Sequence, residues 1–530
     1  MRFTSLGALA LATSASAQNV VQFDIRRGLP GQFRVGTPAT GFLSRRDAHA
    51  ATIANNITGG GYYVDVEVGT PGQPITMVLD TGSSDAWIVS YQADLCTSRS
   101  LQNKYGDSCG PTFNPSKSST YATKISDGFS ITYVDQTGAQ GDYITDNFKI
   151  AGVTVESLQM GLATTVVRGV GVLGVGFTEN VAAVRQYPNL IEQLASQGFT
   201  KSRAFSLYLN DRRSESGTIL FGGVDTDKFI GKLHTLPILE QPSGYTHYGV
   251  VMSGLELAYS NGSTAAAPIS GGMVGAILDS GTTLTYLPDS TASPLFRALN
   301  VYTDHETTGL SLVDCDLLDS EADMTLTFGF GGGANAQYGE KFDIAVPVHE
   351  LVLDLLQGYE HLLPTDIPFD NVCVFGIQSS GGLPDGGGEA TDEITLLGDT
   401  MLRSAYVVYD VDHHQIGMAQ ANVNSTETKI EELTSEGEGL PSLTGVASQQ
   451  TSARPTATRG TTATSLGSGG TSSTASGDAS QTSGGQSTVT VTASPTPNVG
   501  ASSRGGGGEV FWVVVLAGVF AGVGGGLFML

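Results

Sequence analysis

The chain has 530 residues, 70 of them glycine, and a formal net charge of −25. That length suffices for two or more folded units, and the acidity excludes a protein built to grip nucleic-acid phosphate, which requires a basic face. Eighteen tyrosines and 21 phenylalanines beside so much glycine point to a strand-rich chain with many tight turns.

In chain order, residues 1–17 read as a secretory signal: Arg2 supplies the positive end, an apolar stretch follows, and "ASA" stands before Gln18. Residues 18–46 form a basic leader with five arginines, one aspartate and no evident strand rhythm, ending in the pair Arg45-Arg46 that suits a processing protease. Such a leader, laid across an acidic cleft, is held electrostatically near neutral pH and weakened as carboxylates protonate.

From Tyr62 to about Asn422 the sequence reads as one continuous folded region. The runs "YYVDVEVGT", "FSITYV", "AFSLYL" and "AYVVYDVD" are short, β-rich and bounded by Gly, Pro, Asn or Asp. Helical windows fall at Leu190 to Gly198 and Leu351 to Gly358, with no long amphipathic helix, so a mostly antiparallel all-β fold is expected. The four cysteines, Cys96, Cys109, Cys315 and Cys373, allow two disulfides in three connectivities. The close pair Cys96 and Cys109 staples a local loop in one of these, leaving Cys315 with Cys373. Their spacing fits no zinc pattern, so neither metal nor cofactor is expected. Sequons begin at Asn56, Asn261 and Asn424. His413-His414 is read as an exposed turn.

Residues 423–504 are dominated by Ser, Thr and Gly and read as a disordered, O-glycosylated stalk. Residues 505–530 end in an apolar run with nothing basic after it, which argues against a spanning helix. With small residues at Gly500, Ala501, Ser502 and Ser503 and a polar spacer, this end reads as a GPI-attachment signal.

One motif occurs twice. "VLDTGSSDAW" carries Asp80 at the end of an apolar run, and "ILDSGTTLTY" carries Asp279 in the same setting. Each is followed downstream by an apolar pair and glycine, "GVLGVGF" around Gly174 and "TLLGDTM" around Gly398. An ordered pattern repeated in this way implies a duplicated unit, two lobes related by an approximate two-fold. If the turns meet across it, Asp80 and Asp279 face each other and share one proton, since two adjacent carboxylates cannot both ionise cheaply. One then serves as base to a water while the other polarises a carbonyl. Ser83 and Thr282 are placed to orient the carboxylates by hydrogen bonds.

These motifs resemble the pepsin family of aspartic endopeptidases, and the likeness runs from about Gly61 to Ala421. It implies a bilobal pepsin-like fold with an active-site cleft between lobes at 47–235 and 236–422, Asp80 and Asp279 as catalytic pair, and acid-pH hydrolysis of polypeptides. It makes Tyr133 the tyrosine of the flap hairpin and Trp87 the indole expected to accept that phenol's hydrogen bond. Val134 departs from the glycine usual there, and Asp135 is similar to fungal secreted and surface members. Leader, stalk and anchor signal resemble the GPI-anchored, yapsin-like fungal branch, as does the Cys96 to Cys109 loop. That branch implies an extracellular, membrane-anchored monomer with some preference for basic residues at the cut. A catalytically dead member acting as an anchored adhesin or peptide-binding protein is the rival reading, and the presence of both aspartates with both hydroxyl neighbours weighs against it. No G-x-S-x-G or H-E-x-x-H pattern supports another hydrolase class.

Overall fold

The computed structural model describes residues 19–28 and 61–449, apart from short stretches at 106, 134–136, 215, 268, 270–271, 305–308, 319–323, 357–362, 365 and 381–394. The signal at 1–17, Arg45, Arg46, Asn56, Asp135, the stalk beyond 449 and the anchor signal with Gly500, Ala501, Ser502 and Ser503 lie outside these residues. Among the described residues no helix is long and apolar enough to cross a membrane.

The architecture is bilobal and almost entirely β. A thirteen-stranded sheet runs from the N-terminal lobe into a central layer, and an eight-stranded sheet forms the heart of the C-terminal lobe. The central layer orders its strands as Phe229–Pro237, Gln415–Ala421, Ala405–Asp410, Ala204–Tyr208, Ser216–Phe221, Val21–Gly28 and Gly61–Val68, so it draws on both lobes. Alternation along these strands divides the interior. Phe205, Leu207, Val407 and Tyr409 face the main core, whereas Ala204, Tyr208, Tyr406 and Val408 face a second, smaller cluster.

Four expectations change. The leader does contain a strand, Val21–Gly28, paired antiparallel with Ser216–Phe221 on one side and with Gly61–Val68 on the other. Val21 and Ile25 point into the core while Gln22, Asp24 and Arg26 point out, a period of two that the concentration of charge obscured. The helix expected near Leu190 forms as Leu190–Ser196, capped by the Asn189 side chain, but Leu351 onward does not. There a short 3₁₀ turn, Val348–Leu351, leads into the strand Val352–Leu353, which pairs with Phe375 and Val374. The stalk does not begin at 423: residues 423–449 pack on the body, because Leu433 is buried and Leu440 and Leu443 join the second cluster. His413-His414 is half-buried rather than exposed. His413 Nδ1 lies 2.8 Å from Asp410 Oδ2, and the His414 ring stacks on Tyr245 with centroids 3.7 Å apart.

Candidate active site

The strand Gln73–Asp80 buries Ile75, Met77 and Leu79 and delivers Asp80 at its end with no exposed surface. It runs parallel to Gly171–Gly174, which places Asp80 beside Gly174. The Val175 N–H then donates to the Asp80 carbonyl at 2.9 Å, so the strand end is fixed before the chain turns. Within the turn the Gly82 N–H donates to Asp80 Oδ1 at 2.8 Å, and Ser83 Oγ donates to Oδ2. The second lobe repeats this. Val274–Leu278 runs parallel to Thr395–Leu397, and the Asp279 N–H donates to the Leu397 carbonyl at 3.0 Å. The Gly281 N–H reaches Asp279 Oδ1 at 2.8 Å, and Thr282 Oγ1 reaches Oδ2 at 2.7 Å.

Glycine is required where each downstream strand ends against its turn. A Cβ on Gly174 would come within 2.7 Å of the Asp85 carbonyl, and one on Gly398 would strike the carbonyls of Leu284 and Thr282. The "apolar-apolar-Gly" half of the repeat is therefore a condition of close backbone approach.

Residues between each aspartate and its glycine tie the lobes together. Thr81 Oγ1 donates to the Leu278 carbonyl at 3.0 Å and accepts from the Ser280 N–H at 2.9 Å. Reciprocally, Ser280 Oγ donates to the Leu79 carbonyl at 3.1 Å and accepts from the Thr81 N–H at 3.2 Å. Neither residue was singled out from the sequence, although a hydroxyl at the second position of both motifs was a visible signal. All four groups are buried, so these bonds form without competition from water. They hold the Asp80 and Asp279 carboxyls within hydrogen-bonding reach of each other. Burial pushes both carboxyls up from their ordinary range, and the charge of Asp80 pushes Asp279 further. The turn hydrogen bonds oppose that rise by favouring the ionised form. The pair thus retains a proton where isolated carboxyls would both have lost theirs.

Above the first turn, the Trp87 indole N–H donates to the Tyr133 hydroxyl at 2.7 Å. The direction is opposite to that expected, because an indole nitrogen has no lone pair to offer. Tyr133 is itself fixed where its N–H meets the Thr137 carbonyl at 2.8 Å. Behind them Asp85, fully buried, accepts from Tyr187 and Tyr143 hydroxyls at 2.6 and 2.9 Å and from the Ala182 N–H at 2.7 Å. Burial raises its pKa while these three donors resist the rise. Asp85 too was missed: a sequence shows a carboxyl in a turn but not the distant tyrosines that make its burial tolerable.

The sequence model of the eukaryotic aspartyl proteases matches residues 61–421. This chain belongs to that family. The protease is 37% identical over 433 residues to the probable aspartic-type endopeptidase opsB of Aspergillus fumigatus, covering 77% of this chain and 80% of the relative. It is 30% identical over 472 residues to Aspartic proteinase 3 of Saccharomyces cerevisiae, covering 75% and 76%, and 31% identical over 384 residues to Candidapepsin of Candida tropicalis, covering 72% and 84%. It is an aspartic-type endopeptidase, and it acts on polypeptides.

The protease closes Cys96 to Cys109 and Cys315 to Cys373, with Cα atoms 5.2 and 5.1 Å apart. Of the sequons within the described residues, Asn261 sits in an exposed turn, its Oδ1 accepting from the Ser263 hydroxyl at 2.6 Å. Asn424 is exposed as well, but its Nδ2 donates to Asp211 Oδ2 at 2.6 Å and its Oδ1 accepts from Ser214.

Proposed function

We propose that Asp80 and Asp279 are the catalytic dyad of a secreted, cell-surface endopeptidase that works at acidic pH. The observation that carries this reading is the reciprocal hydrogen bonding of Thr81 and Ser280, which brings two buried carboxyls together from separate lobes. A carboxyl pair sharing one proton is the established property of aspartic proteases. In the step proposed, the ionised partner takes a proton from a water as its oxygen bonds to the scissile carbonyl carbon. The protonated partner gives its proton to the carbonyl oxygen, so a neutral tetrahedral diol forms. Collapse restores the C=O, breaks the C–N bond and moves one proton to the departing amine, which regenerates the single shared proton. Ser83 and Thr282 hold the carboxyls in orientation, and Tyr133, steadied by Trp87 with Asp135 two residues on, closes over the substrate.

The remaining assignments rest on sequence. The secretory signal at 1–17 and a leader to Arg45-Arg46 support secretion as a zymogen, with catalytic lobes at 47–235 and 236–422. The Ser/Thr-rich stalk, moved to begin near 450, and the signal at 505–530 with Gly500 to Ser503 support a GPI-anchored monomer on the outer face of the plasma membrane. Asn56, Asn261 and Asn424 are the proposed glycan acceptors. The acidity of the chain supports a preference for Lys or Arg at the cut, since acidic pockets attract them. Turnover of a peptide library by the processed enzyme near pH 4, with and without a statine-type inhibitor, tests both levels. Inhibitor-insensitive cleavage would remove the dyad assignment. Cuts clustered after Leu or Phe with no enrichment of Lys or Arg would remove the basic preference alone.

A further inference from the structure

Beyond Ala421, where the family match ends, the chain does not leave the body. It crosses the outer side of the central sheet and bonds to it at points along its length. Tyr208 donates its hydroxyl to the Asn422 carbonyl at 2.9 Å. Lys228 Nζ, on a residue only 7% exposed, donates to the carbonyls of Ser425 and Glu427 at 2.7 and 2.8 Å and stands over the Tyr208 ring at 5.5 Å. The Thr226 N–H meets the Lys429 carbonyl at 2.8 Å, and strand Ile430–Glu432 pairs antiparallel with Gly223–Asp225. Further on, the Leu433, Ser435, Gly445 and Val446 amides donate to carbonyls of Gly222, Lys201, Gly231 and Phe229. The Leu440 N–H donates to Gln415 Oε1 at 3.0 Å.

Three features give this segment more than a packing role. Its partners come from both lobes: Lys201, Gly222–Asp225 and Phe229–Leu233 from the first, and Gln415 with the covered side chains of Tyr406 and Val408 from the second. The face it covers carries Tyr208, Tyr406 and Val408, whose neighbours in the strands, Leu207, Val407 and Tyr409, point the other way. Tyr409 packs on Tyr248 with ring centroids 4.7 Å apart, and the Tyr248 hydroxyl donates to the Val175 carbonyl beside the first aspartate turn, so the segment sits on the sheet face turned away from the dyad. Finally, the Lys228 ammonium is buried with main-chain carbonyls as its acceptors, an arrangement that loses both partners if the segment lifts.

We propose that residues 423–449 are a clasp on the joint between the lobes, which fixes their spacing and thereby sets how tightly a substrate spanning the cleft is held. The clasp acts through the sheet and touches no substrate, so its loss is read in binding before it is read in chemistry.

The test uses the full chain in both forms, with the leader strand Val21–Gly28 in the central layer and after its removal. Hydrogen exchange followed by mass spectrometry should show the amides that the segment donates to the body, those of Leu433, Ser435, Gly445 and Val446, protected to the same degree as the central strands. Full exchange of 430–446 within seconds would overturn the proposal without any variant. Lys228→Met and, separately, Leu443→Ser should expose 423–449 to cleavage by an added protease about tenfold faster while the central strands keep their protection. Both should raise KM for a peptide long enough to fill the cleft by about threefold to tenfold, with kcat within about twofold and the KM for a short peptide little changed. Release of the segment with KM for both peptides unaltered would overturn the coupling. A parallel fall in kcat for both peptides would also overturn it, since that result belongs to damage at the dyad.

Discussion

Aligned residue by residue, the two active-site turns agree at the aspartate, the hydroxyl after it, the glycine and the hydroxyl that follows. They diverge five residues after each aspartate, where the first turn has Asp85 and the second has Leu284. Asp85 is satisfied by two tyrosines and a backbone amide. Leu284 instead joins an apolar cluster with Tyr286, Leu310, Leu312 and Leu396. Two residues later, Trp87 reaches up to the flap tyrosine, whereas Tyr286 is buried in that cluster. The inner shells are alike, each giving its carboxyl one glycine amide and one hydroxyl. The outer shells differ, one lobe building a polar support and the other a plain core.

Asp80→Asn and Asp279→Asn should each lower kcat by about a thousandfold or more with the fold retained, as measured by turnover and circular dichroism. A residual activity in one variant alone would show that the lobes are chemically unequal. Exchanging the outer shells comes next: Asp85→Leu strands three donors, Leu284→Asp buries an unpartnered carboxyl, and each should cost about 3–5 kcal/mol in denaturant unfolding.

The pH dependence is shared by both lobes. Asp80 and Asp85 in the first, and Asp279 and Asp399 in the second, all have pKa values raised chiefly by burial. The folded state therefore keeps protons that the unfolded chain releases above about pH 4. Stability is greatest below that pH and is lost as pH rises through about 6 and beyond, so thermal melting should fall steadily from pH 4 to 7. A single transition is expected, and two would show that the lobes fail separately. Thr81→Val and Ser280→Ala each remove a cross-lobe donor and acceptor, and each should cost about 1–3 kcal/mol by the same unfolding measurement. The smallest effect is at the flap, where Tyr133→Phe removes one hydrogen bond of about 1 kcal/mol, visible as a severalfold change in kcat/KM.

The paired aspartate turns were readable because they are local and repeated. "DTGS" and "DSGT" put aspartate, hydroxyl and glycine within four residues, and the downstream glycines announce the strands that run beside them. Strands such as Ala405–Asp410 were readable from β-branched and aromatic runs. What stayed hidden depends on partners far away in sequence. Nothing near Asp85 predicts Tyr143 or Tyr187, and nothing near Thr81 predicts Leu278. The strand at Val21–Gly28 was hidden by charge, because Arg26 faces outward to Asp65 at 2.7 Å and masks the alternation of its apolar neighbours. The segment 423–449 was misjudged by composition: Leu433, Leu440 and Leu443 are few, but a preformed apolar face waits for them.

The placement of the strand Val21–Gly28 also orders events at synthesis. Its partner Ser216–Phe221 leaves the ribosome long after it, and the hydroxyls of Tyr406 and Ser206, which meet across the same layer, are 200 residues apart. Loops of that size close slowly, and sheet pairings this remote are formed late. Each lobe has local hairpins that can form as the chain emerges, but the layer joining them must await nearly the last strand. The nascent protein thus passes through a stage in which both aspartates exist but have not met, and their pairing comes only with completion of the chain.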